Sequence, residues 1–305
     1  MIRLCLLLAI SMILAGTARS EEPRVVVSIK PVHALAAALL DGVAEPVLLL
    51  DGASSPHSYA LRPSERRALQ EADAVIWVGP ELEGFLVKPL SVLPSDVRIV
   101  GLLADTPGLE RLTLDDDHEH EGHDHGHAHG HEAKAADDPH IWLSPANARI
   151  IAGHLAKVLA PWAPADRLRQ NAAALDQQLT ELETSLAERL SPVQDRPFVV
   201  FHPAYGYFVK AFGLNQAGTI TLSPEHGAGA RHLSDLREKI AETGAVCAFR
   251  EPQFAESTVA GLTRDTGLSL GVLDPLGSDV PPGPGAYEAI MRNLANAFVD
   301  CLAAG

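Results

Sequence analysis

The sequence predicts an α/β protein of two lobes, each a mainly parallel sheet flanked by helices, with one long helix between them. Three observations predict it. Short β-branched runs alternate with longer helical patterns in both halves of the chain. The segment Ala165 to Leu190 contains no helix breaker. The roughly 285 residues that follow an N-terminal leader exceed what one hydrophobic core usually serves.

The leader comes first. Met1-Ile2-Arg3 gives a positive start, and Leu4 to Ala15 is an apolar run shorter than the ~20 residues that cross a bilayer. A signal peptide over residues 1–20 is expected, cut before Glu21 or, alternatively, after Ala18. No Cys follows the cut to accept a lipid, so the mature protein is expected to be soluble and exported. In the first lobe, Val25–Ile29, Pro46–Leu50, Ala74–Val78 and Val97–Val100 read as strands, and His33–Leu40, Pro63–Glu71 and Glu83–Val92 as helices. Continuous apolar strands separated by helices argue a parallel sheet covered on both faces. Pro145 opens a further helix to about Ala160, which Pro161-Trp162-Ala163-Pro164 breaks. Ala165 to Leu190 carries Leu168, Ala172, Leu175, Leu179, Leu182, Leu186 and Leu190 at helical spacing, and at 1.5 Å per residue it spans about 39 Å, enough to connect two lobes. The second lobe repeats the alternation, with strands at Phe198–Phe201, Gln216–Thr221, Val246–Phe249 and Ser269–Leu273. Its helices are expected at Ala204–Phe212, His232–Thr243, Ala255–Thr266 and Gly285–Leu302. The expected division is residues 21–163, which include a His-rich loop at 115–137, then a connecting helix over 164–191, then 192–305.

Composition narrows the partners. Removing the leader takes Arg3 and Arg19 and no acid, leaving 22 basic against 39 acidic residues, a formal charge of -17. Nucleic acid is excluded as an expected partner. An acidic surface concentrates divalent cations, although it is also an ordinary solubility device. Cys5 leaves with the leader, and in an oxidising compartment the remaining Cys247 and Cys301 are expected to form a disulfide, with two buried free thiols as the alternative. The link would tie the C-terminal helix to a strand and restrict the unfolded chain by roughly 4 kcal/mol.

The chemistry gathers around Asp115 to Pro145. His118, His120, His123, His125, His127, His129 and His131 make up half of the 14 histidines, interleaved with Asp, Glu and Gly and without apolar periodicity. This is the composition of a metal-collecting loop. His140, between Pro139 and Ile141-Trp142-Leu143, belongs instead to the folded body. In open α/β sheets the ligand crevice lies beyond the carboxyl ends of the strands. That rule selects His57 after the second strand, His202 directly after Phe198–Phe201, and Asp274 after Ser269–Leu273. With His140 they make three imidazoles and one carboxylate, a set that suits tetrahedral Zn²⁺, while Mn²⁺ and Mg²⁺ favour more oxygens. Asp274-Pro275 could equally start a turn or cap a helix. His33 is read as structural, His154, His226 and His232 as surface or capping residues, and Glu81 and Glu83 as solvated loop acids. Imidazoles bind metal only when deprotonated, so affinity should fall below about pH 6.5.

Seven separated motifs together resemble the ZnuA family of periplasmic zinc-binding proteins of bacterial ABC importers, in the metal-specific class of solute-binding proteins. They are Val27-Ser28-Ile29-Lys30-Pro31, His57-Ser58-Tyr59-Ala60-Leu61-Arg62-Pro63-Ser64, Val78-Gly79-Pro80-Glu81-Leu82-Glu83, Asp138-Pro139-His140-Ile141-Trp142-Leu143-Ser144-Pro145, Phe201-His202-Pro203-Ala204-Tyr205-Gly206-Tyr207-Phe208, Phe249-Arg250-Glu251-Pro252-Gln253-Phe254 and Leu273-Asp274-Pro275-Leu276-Gly277. The resemblance covers nearly the whole mature chain. It implies two lobes joined by one rigid long helix, a buried site between them, and His57, His140 and His202 as zinc ligands. The fourth ligand is Asp274 or water, because Ser55-Pro56 stands where some relatives carry an acid beside the first His. His202 replaces the acid of manganese-binding relatives, and Cys247 and Cys301 match the disulfide pair of enterobacterial members.

The expected function is periplasmic zinc capture and delivery to the membrane subunit of an ABC permease, with Zn²⁺ as cargo. A monomer is expected, with a periplasmic zinc chaperone as a second candidate partner. No enzymatic activity is expected: the chain has no His-Glu-x-x-His helix, no general base placed beside a ligand by the sequence, and no phosphate-binding Gly-rich loop followed by Lys-Ser or Lys-Thr. The alternatives are an exported zinc hydrolase and a zinc buffer acting through the His-rich loop alone.

Overall fold

The computed structural model describes residues 22–114, 136–223, 228–255 and 257–304. The expected signal peptide and the histidines His118 to His131 lie outside the described residues. Strands β1 (Val25–Ile29), β2 (Val47–Leu50), β3 (Ala74–Trp77) and β4 (Arg98–Gly101) form one sheet in the order β2-β1-β3-β4, parallel throughout. Strands β5 (Phe198–Val200), β6 (Gln216–Thr219), β7 (Cys247–Arg250) and β8 (Ser269–Val272) form the second in the order β6-β5-β7-β8, again parallel. The two halves thus repeat one topology. In both, the first strand lies centrally and is buried from end to end, which is why it reads as an unbroken apolar run.

Because side chains alternate across a strand, each sheet has two separate jobs. Val25, Val27 and Ile29 of β1, Phe198 and Val200 of β5 and Phe249 of β7 face one continuous core that runs through both lobes. It is filled by α1 (Lys30–Leu39), α5 (Pro145–Leu159), α6 (Ala165–Leu190) and α10 (Ala286–Ala304). The opposite faces bury smaller, separate clusters. Val26 and Val75 pack with Leu69 of α2 (Pro63–Gln70) and Leu90 of α3 (Val87–Ser91). Val199 and Ala248 pack with Ile240 of α8 (Ala230–Thr243) and Leu262 of α9 (Ser257–Thr266).

Helix α6 is a shared wall of the continuous core. Its leucines at 168, 175, 179, 182, 186 and 190 are buried, and Asn171 reaches across to donate to the carbonyl of Leu39 at 2.9 Å. Cys247 of β7 is bonded to Cys301 of α10, with Cα atoms 6.2 Å apart, as expected from the sequence. The helix expected at Glu83–Val92 shortens to a 3-10 turn at Gly84–Leu86 followed by α3. Pro89 cannot donate a backbone bond, and Glu83 is drawn inward by another task. Its Oε2 accepts from the N–H groups of Val78 and Gly79, both at 2.9 Å. Glu83 is fully buried rather than solvated, and burial pushes its carboxyl up to about 7.

Candidate metal centre

Three imidazoles converge between the lobes from three chain exits. His57 sits in the loop that follows β2. His202 follows Phe201 at the end of β5. His140 leads into the 3-10 turn Ile141–Leu143 and then α5, whose start is fixed by Pro145 and by Ser144 Oγ, which accepts from the Asn147 N–H at 3.2 Å. The buried Ile141-Trp142-Leu143 segment anchors His140 on the core side.

Ring centroids are 5.2 Å apart for His140 and His202, 5.5 Å for His57 and His140, and 5.7 Å for His57 and His202. One nitrogen of each lies within 4.8 Å of the other two. Asp138 Oδ1 takes His140 Nδ1 at 2.7 Å, and Glu251 Oε1 takes His202 Nδ1 at 2.6 Å. Those bonds put the proton on Nδ1 and leave Nε2 of both rings as lone pairs. The two Nε2 atoms face each other at 3.4 Å, a repulsive arrangement unless a cation lies between them. Two nitrogens bound to one tetrahedral zinc at ~2.0 to 2.1 Å lie about 3.4 Å apart, so the pair already has the span such an ion requires. His57 Nε2 is buried without a hydrogen-bond partner, and burial, reinforced by His140 and His202, lowers the His57 imidazole to about 3. The ring is therefore neutral at physiological pH, with a nitrogen open to a metal.

The three rings line a cavity of about 10 Å³ that they share with Trp142, Phe254, Pro275 and Leu276. That volume is the size of a single water or bare ion. Asp138 and Glu251 are buried beside it, so two acidic side chains stand behind the three rings, an arrangement suited to a divalent cation.

Asp274 does not join the group. Its Oδ1 accepts from the N–H groups of Leu276 and Gly277 and from Gln253 Nε2, and its Oδ2 from the N–H and Oγ of Ser278. Its oxygens are engaged by its own turn and by Gln253, the behaviour of Asp before Pro in a tight loop. His33 donates from Nε2 to the Pro46 carbonyl at 2.9 Å, and His232 Nε2 meets the Thr219 carbonyl at 2.9 Å; both are structural. Sequence reasoning passed over Asp138 and Glu251. Glu251 directly follows β7, so the strand-end rule that selected His202 pointed to it as well.

Comparison with known proteins agrees in extent and kind. The family model ZnuA, zinc-uptake complex component A, periplasmic, matches residues 25–301. The high-affinity zinc uptake system protein ZnuA of Brucella abortus (strain 2308) is 41% identical over 309 residues, covering 92% of each chain. Its counterpart from Yersinia pestis is 38% identical, covering 97% of this chain and 96% of its own. A crystal structure of a ZnuA deletion mutant with zinc bound superposes with a TM-score of 0.73 at 26% identity, covering 91% of this chain and 98% of that one.

Proposed function

The chain belongs to the ZnuA family of periplasmic zinc-uptake components, and from that premise we propose that Nε2 of His140 and His202, with a ring nitrogen of His57, hold the zinc it carries. It captures zinc in the periplasm as the solute-binding protein of an ABC-type importer and delivers it to the permease. The observation that carries the ligand assignment is the 3.4 Å pair of Nε2 atoms, each turned inward by a buried carboxylate. With Asp274 held by its own turn, water is the fourth ligand. Residues 1–20 act as the export signal, and the carrier works as a monomer that a periplasmic zinc chaperone can load.

The cavity supports capture: a space of about 10 Å³ between the rings is the size of a single ion. Zinc binding displaces no proton from His57, because its ring is already neutral.

The test is a chelator-competition titration of the mature protein lacking residues 115–135, with zinc and manganese side by side and His202→Ala as control. One tight zinc equivalent that outcompetes manganese and vanishes in His202→Ala is expected. Loss of all tight binding on removing residues 115–135 would transfer the function to the His-rich loop.

A further inference from the structure

We infer that Lys30 is a positioning residue that latches the Asp274–Val280 strap over the metal centre and thereby sets how long zinc stays bound. The inference rests on the zinc-capture reading of the three-histidine site. Lys30 opens α1 at the carboxyl end of β1, in the first lobe, and its side chain is only 2% exposed. A buried ammonium requires partners, and these all come from the second lobe. Its Nζ donates to the carbonyls of Gly277 and of Val280 (2.7 Å), with Ser278 O at 3.4 Å. Asp274, Asp51 and Asp279 surround it with negative charge, the first and third on the strap and the second at the head of the His57 loop.

The strap that Lys30 holds is the roof of the metal cavity. Pro275 and Leu276 line it, and the Pro275 carbonyl accepts from Trp142 Nε1 at 3.0 Å. Gln253 Nε2 extends the connection, donating to Asp274 Oδ1 at 3.0 Å and to the Gly52 carbonyl at 2.8 Å in the loop that leads to His57. At Gly52 the φ angle is +93°, and a Cβ there would come within 2.8 Å of the Leu276 carbonyl, so strap and loop meet backbone to backbone. Lys30, strap, Gln253 and His57 loop form one chain of bonds across the cleft. None of its members touches zinc in our assignment except His57. Freeing the strap should therefore act on escape of the ion more than on its arrival.

Lys30→Met leaves an unbranched side chain one atom shorter and removes its three donors. Zinc-loaded wild type and variant are mixed with excess chromogenic chelator in a stopped-flow instrument, and deuterium uptake is followed in residues 274–280 and 51–57. Zinc release at least tenfold faster, with association changed less than threefold and higher uptake in both segments, is the expected result. Gln253→Met, in a partly exposed loop outside the core, provides the same test should Lys30→Met not fold, with a smaller acceleration of about threefold expected. Folded variants that are less heat-stable yet release zinc at the wild-type rate would overturn the inference, leaving Lys30 a purely structural link. Tight zinc binding that persists in His202→Ala would overturn the site itself and the latch with it, a result read from the chelator-competition titration without any change at Lys30 or Gln253.

Discussion

Asp138 and Glu251 decide which nitrogen of His140 and His202 faces the cavity, and they do so from positions fixed by the ends of a loop and of β7. Asp138→Asn or Glu251→Gln should weaken zinc binding by roughly 10- to 100-fold while leaving one equivalent bound, as measured by chelator competition. Wild-type affinity in both variants would remove their orienting role. Proton linkage at this scale has a definite sign. The His57 imidazole is lowered in the folded state, so its contribution to stability is complete above its unfolded value near 6.5 and is lost as pH falls toward about 3. Glu83 works the other way: raised to about 7, it favours the folded state below its unfolded range near 4.5 and loses that contribution as pH rises through 7. Between pH 5 and 7 the two effects oppose each other, so in urea denaturation of zinc-free protein His57→Gln should make stability fall with rising pH, and Glu83→Gln should make it rise with pH, each by about 1 kcal/mol per pH unit relative to wild type. Position along the strand ends made His57 and His202 legible in the sequence, and the apolar Ile141-Trp142-Leu143 segment made His140 so. It could not separate Asp274 from Glu251, since both follow strands, and only the folded turn shows that one carboxylate is consumed by its own backbone while the other is free to hold a ring.

Helix α6 shows what spacing alone can and cannot tell. Its leucine stripe was readable, and every one of the six leucines is buried, but the stripe does not say that two lobes share the surface it covers. Leu182, 1% exposed, sits in that shared wall. Leu182→Ala should cost about 2 to 5 kcal/mol in urea unfolding, well beyond the effect of an exposed substitution on the same helix. The Cys247–Cys301 bond fastens β7 to α10, whose Phe298 packs against Phe198 and Phe249 at centroid distances of 5.0 and 4.9 Å. A Cys247→Ala, Cys301→Ala double variant should lose about 2 to 5 kcal/mol by the same measurement and retain its zinc equivalent. The short α3 was misjudged from sequence because apolar spacing over Glu83–Val92 outweighed Pro89, and because nothing local reveals that Glu83 leaves the helix to cap a strand end.

At the scale of the whole molecule, the proposed zinc site draws on loops that follow strands of both sheets, so zinc binding and global stability are coupled by mass action. Free zinc at a thousand times Kd should add about 4 kcal/mol and raise one cooperative calorimetric transition, in the intact protein and in the form lacking residues 115–135 alike. Two separate transitions, only one of them moved by zinc, would contradict a core common to both lobes. The repeated strand order of the two sheets was visible as a rhythm of runs and helices; the common layer beneath them was not, because long-range packing leaves no periodic mark. That layer also governs how a permease can tell a loaded carrier from an empty one. With α1, α5, α6 and α10 in one core common to both lobes, binding should leave the silhouette of the protein unchanged, and X-ray scattering curves with and without zinc should coincide. The signal must be carried by the texture of a few rim loops, and the receptor must feel a patch rather than measure a shape.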